Sequence, residues 1–273
     1  MSARLLTMPA FSLTHALFDP SESGSASRGS DSRFPTPDMG LSIAYQLHLP
    51  ASTSRATVAE LVAQLKAAAE RLPFAEVGPV ITLEAGETLG DMPDPPTAFQ
   101  YAFRLWASYG PDEDDPEHGG FGDIMPDAIG FTVMPGEHCE PVPIGVAWVP
   151  PRDEEWKVLR GQPWTWHYGA VCKTQYASIV STDHFVRCHT SIVALLDAAV
   201  ELGFEVTVHD EAGYWESRDV DQLLAQLEHS NRIIAALAGA IHDAVGKKDG
   251  VEAPIFEHPD FERLETKAIH PPQ

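Results

Sequence analysis

The order of hydrophobic patterns along the chain limits the folds that are open to it. Residues 41–49, LSIAYQLHL, alternate apolar and polar side chains, which predicts a strand with one buried face. Residues 58–72 carry apolar side chains at helical spacing up to Pro73, and residues 78–86 return to a strand pattern. The chain therefore opens β-α-β, continues with a run of strand patterns, and closes α-β-α.

This grouping of strands and helices predicts an α+β fold. Strict alternation of strands and helices, as in doubly wound parallel folds, is absent from the sequence. We therefore expect a mixed or antiparallel β-sheet with about three helices packed mainly on one face. A hydrophobic content of 44% is sufficient for the packed core that such a fold needs.

Capping residues predict where the three helices begin and end. Thr57 has an acidic residue three places later, which is the spacing of a capping box, and Asp183 or Thr182 precedes the second helical segment. Gly203 follows that segment, at the position where a left-handed C-cap favours glycine. Asp219 is the predicted cap of a long third helix.

Composition divides the chain into three parts. Residues 20–38 are rich in Ser, Gly and Pro, so residues 1–38 are predicted to be a flexible N-terminal extension, with Met39 as an alternative native start. Residues 39–250 are predicted to form a single α+β domain. Residues 251–273 contain several prolines and are predicted to be a loose C-terminal tail.

The charge balance restricts the partners of the protein. Eighteen Lys and Arg residues against 40 Asp and Glu residues give a formal net charge of −22. Nucleic acid and anionic membranes are poor partners for such a surface, because both are bound through basic patches. A basic protein partner is electrostatically permitted, and the composition leaves the oligomeric state open.

The three cysteines and the missing motifs bear on compartment and chemistry. No two cysteines form a CxxC pair, and reduced thiols in the cytoplasm are the simplest interpretation. The sequence contains no GxGxxG, GxxxxGK[ST], HExxH or GxSxG motif. It therefore predicts no cofactor and no metal, and it leaves open whether the chain is an enzyme.

Two interpretations are open for the cysteines. Cys139, Cys172, Cys188 and His189 would form a thiolate–imidazole site if they converged in space. Helical spacing favours the other interpretation, because it places Cys188 within an apolar stripe, where a buried thiol acts as a small hydrophobic side chain. The sequence does not decide whether these four residues meet.

Polar side chains at two places suggest a ligand pocket. The first set lies at a strand–helix junction and would suit an anionic group: Lys173, Gln175, Arg187 and His189. The second set begins at the last residue of the strand FEVTVHD, continues into the loop after it, and has the character of a binding rim: Asp210, Glu211, Trp215 and Glu216. Surface ion pairs and loop caps are the alternative roles for both sets.

Two hypotheses for function follow. The first is an acidic α+β protein that acts by binding another protein, because the chain has no complete catalytic motif and its composition is strongly acidic. The alternative is an enzyme or small-ligand-binding protein whose pocket joins the 172–189 segment to the 209–216 loop.

Overall fold

Seven strands of the described residues form one antiparallel sheet. The computed structural model describes residues 41–86, 109–111, 119–121, 126–150, 161–245 and 253–269; the predicted N-terminal extension, residues 1–38, and Met39 lie outside these ranges. The strands of the sheet are β1 Ser42–Leu49, β2 Glu76–Val77, β3 Ile81–Leu83, β6 Ala128–Met134, β7 Val142–Val149, β8 Thr165–Lys173 and β9 Glu205–Asp210. Two further short strands, β4 Tyr109–Pro111 and β5 Gly119–Phe121, pair with each other.

The order of the strands across the sheet is β2-β6-β7-β8-β1-β9, and β3 also pairs with β6. Every pairing in the sheet is antiparallel among the residues that the structure describes. The predicted α+β class is confirmed, and of the two sheet types expected from the sequence the antiparallel one is observed.

Strand β1 organises the core. The predicted alternation is confirmed: the side chains of Ile43, Tyr45, Leu47 and Leu49 all point into the protein and are at most 2% exposed. Because β1 pairs with β8 on one side and β9 on the other, Ile43 lies opposite both Cys172 and Asp210. Residues directly opposite in a sheet share a face. The inner face therefore receives both a thiol and a carboxylate beside the same isoleucine.

Five helices accompany the sheet in the described part of the chain. They are α1 Arg55–Ala69, α2 Thr182–Glu201, α3 Tyr214–Ser217, α4 Val220–Val245 and α5 Phe261–Ile269. Apolar side chains of α1 and α2 share one core cluster with the inner face of the sheet. Helix α4 packs instead on a second cluster that contains Phe185 and Cys188 of α2. No helix among the described residues is both long enough and apolar enough to cross a membrane.

Two of the predicted helix starts are wrong. Helix α1 is capped by Ser54, whose hydroxyl accepts the backbone N–H of Thr57 at 3.1 Å. Helix α2 is capped by Ser181 in the same way, not by Thr182 or Asp183. In both helices a serine upstream of the predicted cap has extended backbone angles, so its oxygen reaches the free N–H groups of the first turn.

The other two predicted helix ends are confirmed. Asp219 precedes α4, and its Oδ1 accepts the backbone N–H groups of Asp221 at 2.8 Å and Gln222 at 3.3 Å. Gly203 follows the C-cap of α2 with a φ angle of 94°, a conformation that favours glycine.

The C-terminal residues differ from the loose tail that the prolines predict. Residues Pro254–Glu257 form a 3-10 helix, and α5 follows. Ile255 and Leu264 are buried against Ile234, Ala235 and Ala238 of α4. Pro254 stands at the start of the 3-10 helix, where its missing N–H has no cost, so this proline begins a helical turn and does not prevent one.

Candidate functional site

The three cysteines of the chain converge where the loop between β6 and β7 meets helix α2. Cys188 lies in the second turn of α2, Cys139 lies in the loop, and Cys172 lies near the end of β8. Cys139 packs against the buried cluster that contains Cys188, and Cys172 lies close enough to interact electrostatically with both. All three thiols are free.

The imidazole in this cluster belongs to His184. Its Nε2 lies 3.6 Å from Cys188 Sγ and 3.0 Å from the carbonyl oxygen of Glu137. Its Nδ1 lies 2.9 Å from Nη2 of Arg187. A guanidinium can only donate hydrogen bonds, so Nδ1 accepts one and the imidazole proton lies on Nε2, toward the carbonyl and the thiol.

Arg187 is held in place by the backbone around the cluster. Its Nη1 donates to the carbonyl oxygen of Pro73 at 2.5 Å and to that of Pro135 at 3.4 Å. Both carbonyls belong to segments beside the sheet, so the guanidinium joins α2 to them while it contacts His184. Its charge therefore stays close to Cys188.

Gly136 allows the loop to approach the helix. A Cβ atom built on this glycine would lie 2.6 Å from Cys188 Sγ and 2.7 Å from Cε1 of His184. The loop then turns, with His138 at a φ angle of 59° and the Cys139 N–H donating to the Gly136 carbonyl at 3.2 Å. This turn directs Cys139 back toward α2.

The environments of the three thiols differ. The hydrogen bond from Cys139 and the charge of Arg187 lower the pKa of Cys188, although burial opposes them. The interaction with Cys188 and partial burial raise the pKa of Cys139. Burial raises the pKa of Cys172 well above its ordinary value. Cys188 is therefore the thiol whose pKa is lowered, but its sulfur has no exposed surface.

His189 takes part in a separate buried network. Its Nε2 lies 3.2 Å from Oδ2 of Asp210, and its Nδ1 lies 2.9 Å from the hydroxyl of Thr174. Asp210 also accepts the backbone N–H groups of Ala212 and Trp215, each at 2.9 Å. Acid, imidazole and hydroxyl stand in the order of a catalytic triad. His189 and Thr174 have no exposed surface, however, so the network joins β9, α2 and the end of β8 as a structural tie.

A second buried chain of hydrogen bonds adjoins the start of β1. Gln175 accepts the backbone N–H of Leu41 at 2.8 Å and donates to Oδ1 of Asn231 at 2.7 Å. Asn231 in turn donates to the hydroxyl of Ser178 at 3.3 Å. The side chain of Gln175 is thus engaged at both ends and connects the sheet to α4.

The eight predicted site residues lie in different places. His189 and Asp210 are in contact, Gln175 lies in the neighbouring buried chain, and Arg187 belongs to the thiol cluster. Glu211 accepts the N–H and the hydroxyl of Ser42, both at 2.7 Å.

The remaining three of the eight lie near the surface. Lys173 is opposite Ser42 in the sheet register, and its backbone N–H donates to Glu140. Successive strand residues point to opposite faces, so Lys173 lies on the outer face while Cys172 lies on the inner one. Trp215 lies under the guanidinium of Arg218 at 4.7 Å, and Glu216 is exposed.

Sequence reasoning missed His184 and Gly136. His184, Arg187 and Cys188 stand at positions i, i+3 and i+4 of one helix, and this spacing places them on one face. The signal for His184 was therefore present in the sequence. Gly136 left no such signal, because its closeness to α2 depends on how a distant loop packs.

Within the described ranges, no group of three or more His, Cys, Asp or Glu side chains is arranged to hold a metal ion. Comparisons with models of protein families, with curated proteins and with solved structures found no match.

Proposed function

We propose that the protein acts in the cytoplasm by binding another protein through an apolar stripe on α4. The α4 stripe consists of Ile233, Leu237 and Ile241, which follow one another at a spacing of four residues and so share one face of the helix. Ile233 is 48% exposed and Ile241 is 40% exposed. This stripe is the observation that carries the proposal.

The stripe is not needed to hold α4 in place. Another face of the same helix already buries Leu223, Leu227, Ile234, Ala235 and Ala238 against the rest of the protein. The stripe borders this buried face, since Leu237 directly precedes Ala238 and Ile241 stands three residues after it. Exposed large apolar side chains that continue a buried face are typical of a surface that a partner covers.

The charge of the chain indicates the chemistry of the partner. A net charge of −22 attracts a surface on which basic side chains surround an apolar centre, and it repels nucleic acid. Free thiols support a cytoplasmic setting, because disulfides are rare there. The proposed partner is therefore a protein with an apolar patch and a basic rim.

A capture experiment with matched variants tests the proposal. The full chain, the Ile233→Ser/Ile241→Ser double variant and a Val200→Ser control are each used to capture proteins from native lysate at low salt. Val200 is the control because it is 49% exposed but lies on α2. We expect a partner that the control retains, the double variant loses, and added salt weakens. Capture that is equal for all three chains, or no captured protein, would contradict the proposal.

Self-association is the outcome that must be separated from partner binding. Sedimentation velocity over a range of concentrations measures it directly on the full chain. We expect a single species whose sedimentation coefficient is the same for the wild type and for the double variant. A dimer that forms with rising concentration and is lost in Ile233→Ser/Ile241→Ser would identify a second copy as the occupant of the α4 stripe.

The alternative is an enzyme or small-ligand-binding protein whose pocket joins the 172–189 segment to the 209–216 loop, and the contact between His189 and Asp210 brings these two segments together. Its test is thermal unfolding with inorganic phosphate, for the wild type and for His189→Ala. Stabilisation that the variant loses while remaining folded would favour a ligand site. A large loss of stability without any phosphate effect would favour the structural role of the network.

A further inference from the structure

We infer that strand β9 is a self-association surface, at which a second copy of this chain pairs its own β9 antiparallel and the two sheets join into one. Strand β9 forms one end of the sheet, and among the residues that the structure describes it pairs with β1 on one side only. An edge strand presents N–H and C=O groups that another strand can bind. The inference does not depend on the α4 stripe.

The backbone bonds of β9 show which of its groups point outward. The N–H of Glu211 donates to the carbonyl oxygen of Ser42 at 3.2 Å, so these two residues form a hydrogen-bonded pair. Hydrogen-bonded and non-hydrogen-bonded pairs alternate along an antiparallel ladder. The residues of β9 that bond to β1 are therefore every second one before Glu211: His209, Thr207 and Glu205. The N–H and C=O groups of Val206 and Val208 point away from β1.

Strand β9 lacks the lysine, the proline and the short length that protect many sheet edges. The opposite end of the sheet is protected, because β2 has two residues, β3 has three, and Pro79 lies between them. Strand β9 has six residues in an uninterrupted register with β1, and its centre is a run of three β-branched side chains. Such side chains favour strand pairing. The chain thus protects one end of its sheet and leaves β9 open.

One antiparallel register suits both the backbone and the side chains of two β9 strands. A two-fold axis at Thr207 places Val206 of each copy opposite Val208 of the other. Each of these pairs exchanges both N–H···O bonds, so every outward-pointing group of the two valines is satisfied. The same register places Glu205 opposite His209 of the second copy, and Thr207 opposite its own counterpart. Threonine pairs and pairs of opposite charge stabilise neighbouring strands.

The two faces of β9 are suited to this pairing. Val206 and Val208 pack against the main core, so the joined sheet would continue the apolar inner face. Glu205 lies on the outer face, where its Oε2 is 3.1 Å from Nδ1 of His48 on β1. A carboxylate has acceptor sites for several donors. Glu205 can therefore interact with His48 of its own chain and with His209 of the second copy.

An engineered cysteine at the two-fold axis tests the inference. In a non-hydrogen-bonded antiparallel pair the Cα atoms lie about 4.5 Å apart, which permits a disulfide. We expect the full chain with Thr207→Cys, oxidised by copper phenanthroline in about 0.15 M NaCl, to give a dimer cross-linked at position 207. Thr82→Cys is the matched control, because Thr82 is an exposed strand threonine at the opposite end of the sheet. Equal cross-linking of the two variants, or none in Thr207→Cys, would overturn the inference.

A mixture of two further variants tests the register. Two copies of position 205 would lie four residues apart along the paired strands, or about 13 Å at 3.3 Å per residue, which is too far for a disulfide. We therefore expect Glu205→Cys and His209→Cys to remain monomeric on a non-reducing gel when each is oxidised alone. The mixture should give a dimer that joins positions 205 and 209. Cross-linking of Glu205→Cys to itself would contradict the proposed pairing.

Sedimentation velocity tests whether the dimer exists without a cross-link. In about 0.15 M NaCl, which screens charges more than about 8 Å apart, we expect the wild type and Ile233→Ser/Ile241→Ser to sediment as dimers. Glu205→Lys should be monomeric, because lysine would face His209 of the second copy, and adding His209→Glu should restore the dimer. Both positions are exposed, and circular dichroism checks that the variants fold. A monomeric wild type, or a dimer that only Ile233→Ser/Ile241→Ser loses, would refute association through β9.

Discussion

Asp210 is a buried carboxylate that the fold keeps ionised. Burial raises its pKa, but hydrogen bonds from His189 and from the backbone N–H groups of Trp215 and Ala212 outweigh burial, so the pKa is lowered overall. A carboxylate that accepts several such bonds is more stable charged than protonated. The pairing with His189 depends on this charge.

The lowered pKa of Asp210 predicts a specific acid sensitivity. Its stabilising contribution is complete above the unfolded pKa of about 3.9 and is lost as the pH falls through the lower folded pKa. Asp210→Asn should lower the free energy of unfolding at pH 7 by about 2–4 kcal/mol and make the stability depend less steeply on pH below 4. Urea titrations between pH 3 and pH 7 measure both effects.

Asp197→Asn is the matched control for this prediction. Asp197 pairs with Arg218 at 2.8 Å but is 46% exposed, and an exposed ion pair contributes about 1 kcal/mol or less. A loss of stability at pH 7 that is equal in the two variants would contradict the role assigned to buried Asp210.

Gly136 and Gly239 differ in what an added side chain would contact. A Cβ at Gly136 would collide with Cys188 and His184, two side chains of α2 that face the loop. A Cβ at Gly239 would collide with the carboxylate of Glu265, the far end of a flexible side chain. The collision at Gly136 would cost free energy to relieve because both side chains are packed. The collision at Gly239 would cost little because the Glu265 side chain can rotate away.

Gly136→Ala should therefore destabilise the protein, and Gly239→Ala should not. We expect Gly136→Ala to lower the free energy of unfolding by about 1–3 kcal/mol, the usual cost of overpacking. Gly239→Ala lies within a helix and should gain up to about 1 kcal/mol from helix propensity. Denaturant unfolding of both variants measures the difference, and a more stable Gly136→Ala protein would refute the close packing.

At the scale of elements, α5 is attached to the protein through a small cluster of its own. Leu264 of α5 and Ile255 of the preceding 3-10 helix pack on α4, and this cluster is separate from the main core of the sheet. An ion pair joins Arg263 to Glu228 of α4 at 3.1 Å. Local unfolding of α5 therefore breaks contacts of this small cluster and leaves the main core of the sheet intact.

Leu264→Ala should release α5 while the sheet stays folded. Removing this fully buried leucine side chain should lower the free energy of unfolding of the α4–α5 cluster by about 2–4 kcal/mol. Amide hydrogen exchange should accelerate in residues 261–266 and remain unchanged in β1. Ile233→Ala, which alters an exposed side chain of the same α4 helix, should leave both regions unchanged. Faster exchange in β1 would show that α5 and the sheet unfold together.

At the scale of the whole molecule, the net charge of −22 opposes folding through repulsion between like charges. The ion pairs on the described surface, such as Arg55 with Glu84 and Arg218 with Asp197, are exposed. Each contributes little, so they do not offset a charge of this size. Added salt should therefore weaken the repulsion between like charges more than it weakens the attraction within the exposed ion pairs.

Stability should consequently rise with ionic strength. Adding NaCl from about 0.01 M to about 0.15 M shortens the screening length from about 30 Å to about 8 Å, so the melting temperature should increase. Differential scanning calorimetry measures the change, and KCl at equal concentration should have the same effect if screening is the cause. A melting temperature that falls with salt would show that attractive pairs dominate.

Much of the fold could be predicted because it depends on local patterns. Alternation identified β1, and helical spacing identified α1, α2 and α4. Asp219 and Gly203 were placed correctly because a cap acts within a few residues of itself. Ser54 and Ser181 were missed, since neighbouring residues of similar capping ability competed with them in the sequence.

The candidate site could be predicted only in part. That Cys188 faces the interior followed from its position in the apolar stripe of α2. Its neighbours Cys139 and Gly136 come from a loop some 50 residues away in the chain, and the packing of that loop has no local signature. His184, one helical turn before Cys188, was the partner that spacing could have identified.

Periodicity, capping and composition thus specified the α+β class, the main helices and strands, and the negative net charge of this protein. These properties depend on residues that are near neighbours in the chain or on sums over all residues. The register of β9 on β1, which sets Asp210 beside His189, and the contact of the β6–β7 loop with α2, which sets Cys139 beside Cys188, arose from tertiary packing. Contacts between distant segments depend on how whole elements pack, and patterns among neighbouring residues in the sequence do not specify that packing.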